Sequence, residues 1–154
     1  MPGTALVLSA RDIAEYFLTF SEELDSGEGI SNLKLPKLLY YAQGYYLAAF
    51  DSPLFQDPIE AWTHGPVVTG VYHTYKDFGS NPITPPSNFD PEKIPAETRD
   101  FLDEVYDIVG QYSAWKLREM THNEPPWKNT DNGEVIPQSA MRDYFQNLVD
   151  DSGA

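Results

Sequence analysis

One stretch limits the fold more than any other: residues 35–50, which read LPKLLYYAQGYYLAAF. Leu35, Leu38, Ala42, Tyr45 and Ala49 recur at alternating three- and four-residue steps, the signature of one helix face. Leu39, Tyr46 and Phe50 form a neighbouring stripe, and Tyr40, Tyr41 and Leu47 cover much of the rest. A helix apolar on nearly every side has to lie centrally, with other elements wrapped around it. Gly44 inside it costs ~1 kcal/mol of helix propensity relative to alanine. The expected return is close approach of another helix at that point. Pro36 lies beyond the first orphan donors if Ser31 is the N-cap, where it would remove a helix hydrogen bond. Either Asn32 is the cap, or the first turn is distorted.

The flanking sequence supplies the wrapping. Ser9 reads as an N-cap, with Asp12 a shorter stand-in for the usual glutamate of a capping box. Ile13, Phe17, Phe20 and Leu24 then follow at helical spacing, opposed by Glu15, Glu22 and Glu23, and residues 25–29 end that helix. Residues 51–66 are broken by Pro53, Pro58 and Pro66, although Ile59-Glu60-Ala61-Trp62 alternates as a short strand would. Gly65-Pro66 is expected to open a third helix with buried Val68, Val71, Tyr75 and Phe78, closed by Gly79. The five prolines of 80–96 make a connection rather than an element. Phe101, Leu102, Val105, Ile108, Val109 and Tyr112 mark a fourth helix. Ser113 caps a fifth, through Trp115, Leu117 and Met120 to about His122. Asn123-Glu124-Pro125-Pro126-Trp127 reads as the turn that stops it, and Met141, Tyr144, Phe145 and Leu148 mark a last helix before a frayed tail at 150–154. The expectation is a mainly α fold: a compact orthogonal bundle of about six helices, with at most one short β-hairpin. With 154 residues, 41% of them hydrophobic and 14% aromatic, the chain suits a single domain with its core over 9–148 and short flexible termini.

Charge and composition narrow the function. There are 24 acidic and 10 basic residues, a formal net charge of −14. Phosphate backbones repel such a surface, so direct nucleic-acid binding is not expected. A basic protein partner would be attracted, and an acidic surface also keeps a protein soluble. With no cysteine, disulfides, zinc–thiolate sites and thiol nucleophiles drop out. The short Ala5-Leu6-Val7-Leu8 run lacks the basic flank of a signal peptide, and no apolar run approaches a membrane span, so a cytoplasmic protein is expected.

No phosphate-binding glycine loop, HExxH, GxSxG or EF-hand pattern is present. His64 lies in Trp62-Thr63-His64-Gly65-Pro66 and could serve recognition, general-base chemistry or simple local hydrogen bonding. His73 reads as a partly exposed helix residue. His122, at a helix end, suits a structural cap favoured by the helix dipole. The spacing of the three histidines gives no support for a metal site. Trp62 and Trp127 each sit in a proline-flanked loop, where tryptophan can anchor a partner or close over the core. Asp100, Asp103, Glu104 and Asp107 read as a solvated helix face with like-charge pairs four residues apart. The candidate partner-binding set is therefore Trp62, His64, Gly65, Pro66, Tyr72, His122 and Trp127, with no catalytic or metal-ligating set beside it.

Three ordered segments carry a family resemblance. They are Ile30-Ser31-Asn32-Leu33-Lys34-Leu35 with Lys37-Leu38-Leu39-Tyr40-Tyr41-Ala42-Gln43-Gly44; Glu60-Ala61-Trp62 with His64-Gly65-Pro66-Val67-Val68 and Val71-Tyr72; and Ser113-Ala114-Trp115 with Leu117, Thr121-His122 and Pro126-Trp127. A final helix with Tyr144-Phe145 also fits. Together they resemble the Panacea (SocA-like) antitoxin domain of bacteria and their phages across roughly residues 9–148. Pro36 departs from the pattern, which usually has a polar helix former there, and His64 falls at a position expected to vary.

The resemblance implies a mainly helical, phage-associated domain that uses no cofactor. It implies neutralisation of a toxin encoded by a neighbouring gene, by direct contact or by delivery to a cytoplasmic protease. The alternatives are an acidic regulatory adaptor or DNA-mimic of phage origin, and a small hydrolase using His64 or His122 with a carboxylate.

Overall fold

The computed structural model describes residues 8–24 and 29–152. Helices α1 (Ala10–Leu24), α2 (Leu35–Phe50), α3 (Thr69–Tyr75), α4 (Ala96–Val109), α5 (Ala114–His122), α6 (Pro125–Lys128) and α7 (Gln138–Ser152) account for most of it. The only named strands among the described residues, β1 (Glu60–Trp62) and β2 (Gly65–Val67), pair antiparallel as one hairpin. The fold is mainly α, as expected. The helix count exceeds the expectation by α6, a single turn in the segment read as a plain stop. Its two prolines occupy the first helical positions, where a missing N–H costs nothing.

The apolar helix is central. From Leu35 to Gly44 every residue of α2 is buried, and α7 makes its most extensive contact with it, with β2, α4, α1 and α5 around the rest. Gly44 is where α7 comes closest: a Cβ there would fall on the Phe145 ring. The difficulty over Pro36 disappears because α2 begins at Leu35, which places Pro36 in its first turn. Ser31 instead closes a preceding turn, its Oγ accepting from the Leu33 and Lys34 N–H groups at 3.2 Å each. The Ser9–Asp12 capping box forms, with Asp12 N–H donating to Ser9 Oγ at 3.1 Å and Ser9 N–H to Asp12 Oδ2 at 2.9 Å. The side chains of Glu22, Glu23 and Leu24, the helix stop at 25–29 and the tail at 150–154 lie wholly or partly outside the described residues.

Gly65-Pro66 does not open a helix. Gly65 has φ +130°, a backbone geometry outside any right-handed helix, and pairs with Trp62 across a two-residue turn at 63–64. Val68 remains extended and α3 starts at Thr69. Val68, Val71 and Tyr75 are buried and Phe78 half-buried, so the expected apolar stripe faces the core although its helix starts later. The proline-rich connection is stitched down by Ile83 N–H to Ile30 O at 2.8 Å, and it buries Ile83 and Ile94. Gln43 performs the same task for the 51–58 loop: its amide donates to Phe55 O at 2.8 Å and accepts from Leu54 N–H at 2.7 Å.

Candidate functional site

The β1–β2 hairpin is held from both sides. On one side the Trp62 ring packs against Tyr72 at 5.0 Å and faces His73 at 6.4 Å, both on α3, while its Nε1–H donates to Glu60 Oε1 at 2.9 Å. On the other side, the α5–α6 junction reaches two successive carbonyls of the turn. Trp127 Nε1–H donates to Trp62 O at 2.8 Å, and His122 Nε2 lies 2.9 Å from Thr63 O. His122 Nδ1 lies 2.6 Å from Arg118 O, and its ring sits 4.0 Å from that of Trp127. Both ring nitrogens thus face carbonyl oxygens, which only accept. Beneath the turn, a Cβ at Gly65 would stand 3.3 Å from Thr121 Oγ1 and 3.4 Å from Lys37 Cε. Glycine therefore answers both a positive φ and a tight floor.

The expected partner-binding residues thus occupy two layers. His64 is exposed at the turn, with Trp62 and Tyr72 half-buried beside it. Gly65 and Pro66 are buried, and His122 and Trp127 are half-buried beneath the turn with their ring nitrogens engaged. His73 is exposed, as expected. Among the described residues no group of three histidine or carboxylate side chains could hold a metal ion.

Sequence reasoning missed Glu124. It stands at the N-cap of α6, buried to 7% exposure, and accepts from the Tyr40 hydroxyl at 3.0 Å and the Tyr41 hydroxyl at 2.6 Å. The Tyr144 hydroxyl of α7 interacts with it electrostatically. Burial pushes its carboxyl up to about 7, although the hydroxyls of Tyr41, Tyr40 and Tyr144 pull the other way. Burial next to this carboxylate raises the Tyr40 and Tyr41 phenols well above their usual range, and pushes Tyr144 up to about 12. A signal existed: two adjacent tyrosines on a helix buried all round must place two hydroxyls, and those hydroxyls need buried acceptors.

Two lysines of α2 and its approach are also buried. Lys34 Nζ donates to Gly110 O at 2.6 Å, and Lys37 Nζ to Leu33 O at 2.6 Å. Burial first, and the nearby Arg118 charge second, draw the Lys37 ammonium down to about 8. The Arg118 guanidinium lies 5.0 Å from the centre of the Trp115 ring. Trp115 was read with the apolar residues of its helix, yet it is 65% exposed. The buried side of α5 is set by Leu117 and Thr121, four residues apart, and Trp115 falls on another side. A groove of about 460 Å³ runs along α5, and one of about 380 Å³ is lined by α6, α7 and the segment between them.

A helical frame that fixes a short aromatic turn through its own backbone carbonyls defines a class: small α domains that carry a rigid surface feature on an apolar central helix. Within that class the assignment is specific. Residues 35–128 match the family described as antitoxin SocA-like, Panacea domain, and the chain belongs to this family. It is 30% identical over 144 residues to antitoxin SocA of Caulobacter vibrioides (strain NA1000 / CB15N), an alignment covering 82% of this chain and 72% of that protein. No solved structure matches. Among the described residues no helix is long and apolar enough to cross a membrane.

Proposed function

We propose that this protein is a non-catalytic, protein-binding antitoxin that neutralises a toxin encoded by an adjacent gene, with the face around the β1–β2 turn as its docking surface. Family membership and the named antitoxin relative support the general role. The observation that carries the site is the pinning of Trp62 O and Thr63 O by Trp127 and His122. A turn held at two consecutive carbonyls loses little conformational entropy on binding, and it presents the Trp62 and Tyr72 rings beside the exposed His64. Gly65, Pro66, His122 and Trp127 contribute by supporting that presentation. Both nitrogens of His122 face carbonyl oxygens, which argues against a general-base role for that residue.

Co-expression with the adjacent gene product tests this directly. The parent protein is expected to restore growth and to co-purify with that product. Trp62→Ala with His64→Ala is expected to weaken the complex at least ~tenfold while leaving the fold intact. If the toxin level falls only when the host protease is present, the mechanism is delivery; if the toxin persists in an inert complex, it is blocking. Unchanged toxicity with parent protein at equal or greater abundance would sink the proposal.

A further inference from the structure

The ten cations of this acidic chain are unevenly used. Ion pairs among the described residues engage Arg11, Lys93 and Arg142; none engages Lys37, Lys116 or Arg118. Lys37 is 4% exposed and its ammonium is held by a main-chain carbonyl, with the Arg118 charge close by. Clustering cations that form no ion pair is unfavourable in the free protein. In a molecule with 24 acidic residues, carboxylates to offset them were plentiful.

Beside this cluster stands the most exposed of the large hydrophobic side chains among the described residues, Trp115, with the Arg118 guanidinium 5.0 Å from its ring centre. The groove along α5 brings Lys116, Arg118 and His122 together with Met120, against one acid, Glu119. Exposed tryptophan paired with arginine is the composition of an interface anchor. A guanidinium over the ring keeps N–H groups available, and the buried Lys37 nearby favours an anion in front. His122 also holds the hairpin turn, so this surface adjoins the face proposed above.

We propose that Trp115, Arg118 and the cations around them form a second docking element, which takes an acidic, apolar-containing peptide segment of the protein partner. Carboxylates of that segment engage Arg118 and Lys116, and an apolar side chain packs on Trp115. A nucleic acid is the less favoured occupant, because its unbroken run of phosphates would extend past the groove onto a protein of net charge −14, whereas a short segment can place its few carboxylates within the groove. This inference rests on the protein-binding reading, but the turn residues Trp62 and His64 are not part of it.

The first probe requires no toxin. The chain has three tryptophans, Trp62, Trp115 and Trp127, so each indole N–H gives its own NMR signal in ¹⁵N-labelled full-length protein. A Glu-Leu repeat peptide is titrated in, with a Lys-Leu repeat peptide of equal length, inorganic phosphate and a thymidine oligonucleotide as comparators. The expected result is a saturable shift at Trp115 with the Glu-Leu peptide alone, weakened ~tenfold or more by Arg118→Glu and by added salt. Trp115→Ala, which removes the reporter, is followed by anisotropy of labelled peptide and should weaken binding similarly. Both positions are accessible to solvent, and unchanged circular dichroism and melting confirm that each variant is folded. No shift at Trp115, an undiminished shift in Arg118→Glu, or equal binding of phosphate or oligonucleotide overturns the proposal. The adjacent toxin separates the two readings. If parent, Trp115→Ala and Arg118→Glu bind the toxin equally well, the second element is refuted while the antitoxin reading stands. If parent protein ignores the toxin but the Glu-Leu peptide still shifts Trp115, the antitoxin reading falls while the acidic-peptide site stands.

Discussion

Glu124 shows how much a single side chain can set. Two tyrosines of α2 hydrogen-bond to it and Tyr144 of α7 interacts with it, so it ties the α5–α6 junction to the central helix. Truncation to alanine would strand the buried Tyr40 and Tyr41 hydroxyls, at about 1–3 kcal/mol for each group left without a partner. Its ionisation has the opposite sign from that of an ordinary paired carboxylate. The folded protein binds the Glu124 proton up to about pH 7, whereas the unfolded chain releases it near 4.5. Across that window the native state holds more protons, so stability falls as pH rises, by on the order of 3 kcal/mol in total. Glutamine mimics the neutral acid, with an oxygen to accept from one tyrosine and an amide to donate to another. Urea unfolding should therefore show Glu124→Gln at least as stable as the parent at pH 8, and less dependent on pH. Glu124→Ala should be destabilised at every pH. A glutamine variant that is weaker at pH 8 would mean that the ionised form is the stabilising one. None of this was legible from hydrophobic periodicity, which counts tyrosine as apolar and ignores its hydroxyl.

At the level of elements, α2 was the most legible part of the chain and Gly44 its most informative position. The glycine lowers helix propensity, and the sequence alone implied a close helix approach as compensation; Phe145 of α7 fills that space. Gly44→Ala should therefore destabilise by roughly 2 kcal/mol, since overpacking outweighs a propensity gain of ~1 kcal/mol. Coupling identifies the cause: Phe145→Leu alone leaves a void, but combined with Gly44→Ala it should recover part of each loss. Simple additivity in thermal melts would show that the two positions do not share the contact. The hairpin was half legible. Alternation announced β1, but Gly65-Pro66 carries the same signal as a helix start, and only the positive φ at Gly65 decides for a strand. The α5–α6 clasp was harder to read, because Trp127 and His122 bind main-chain carbonyls, which no sequence pattern marks. Trp115 was misplaced for a related reason: on a helix of nine residues, Trp115, Leu117 and Met120 do not share one face, so the buried side is poorly defined.

For the whole molecule, a net charge of −14 sets a self-repulsion that acts alongside the buried Glu124. The two can be separated because solvent ions reach one and not the other. Surface repulsion is screened within a Debye length of ~10 Å at 0.1 M salt, so raising salt from about 10 mM to about 300 mM near pH 8 should stabilise the protein by roughly 1–2 kcal/mol. Near pH 5 many surface carboxylates approach their protonation range, and the same change in salt should matter less. Glu124 is 7% exposed, so its contribution to the loss of stability with rising pH should persist at high salt. Urea, which is uncharged, is the appropriate denaturant, with unfolding free energies measured from pH 5 to 8 at both salt levels. The parent should lose stability across that range at low salt, and lose less but not nothing at high salt. Glu124→Gln should show almost no loss at high salt. If salt alone removed the pH dependence of the parent, the repulsion of the surface would account for it and the buried carboxyl would contribute nothing. If the glutamine variant kept the full dependence at high salt, another buried group would have to be titrating.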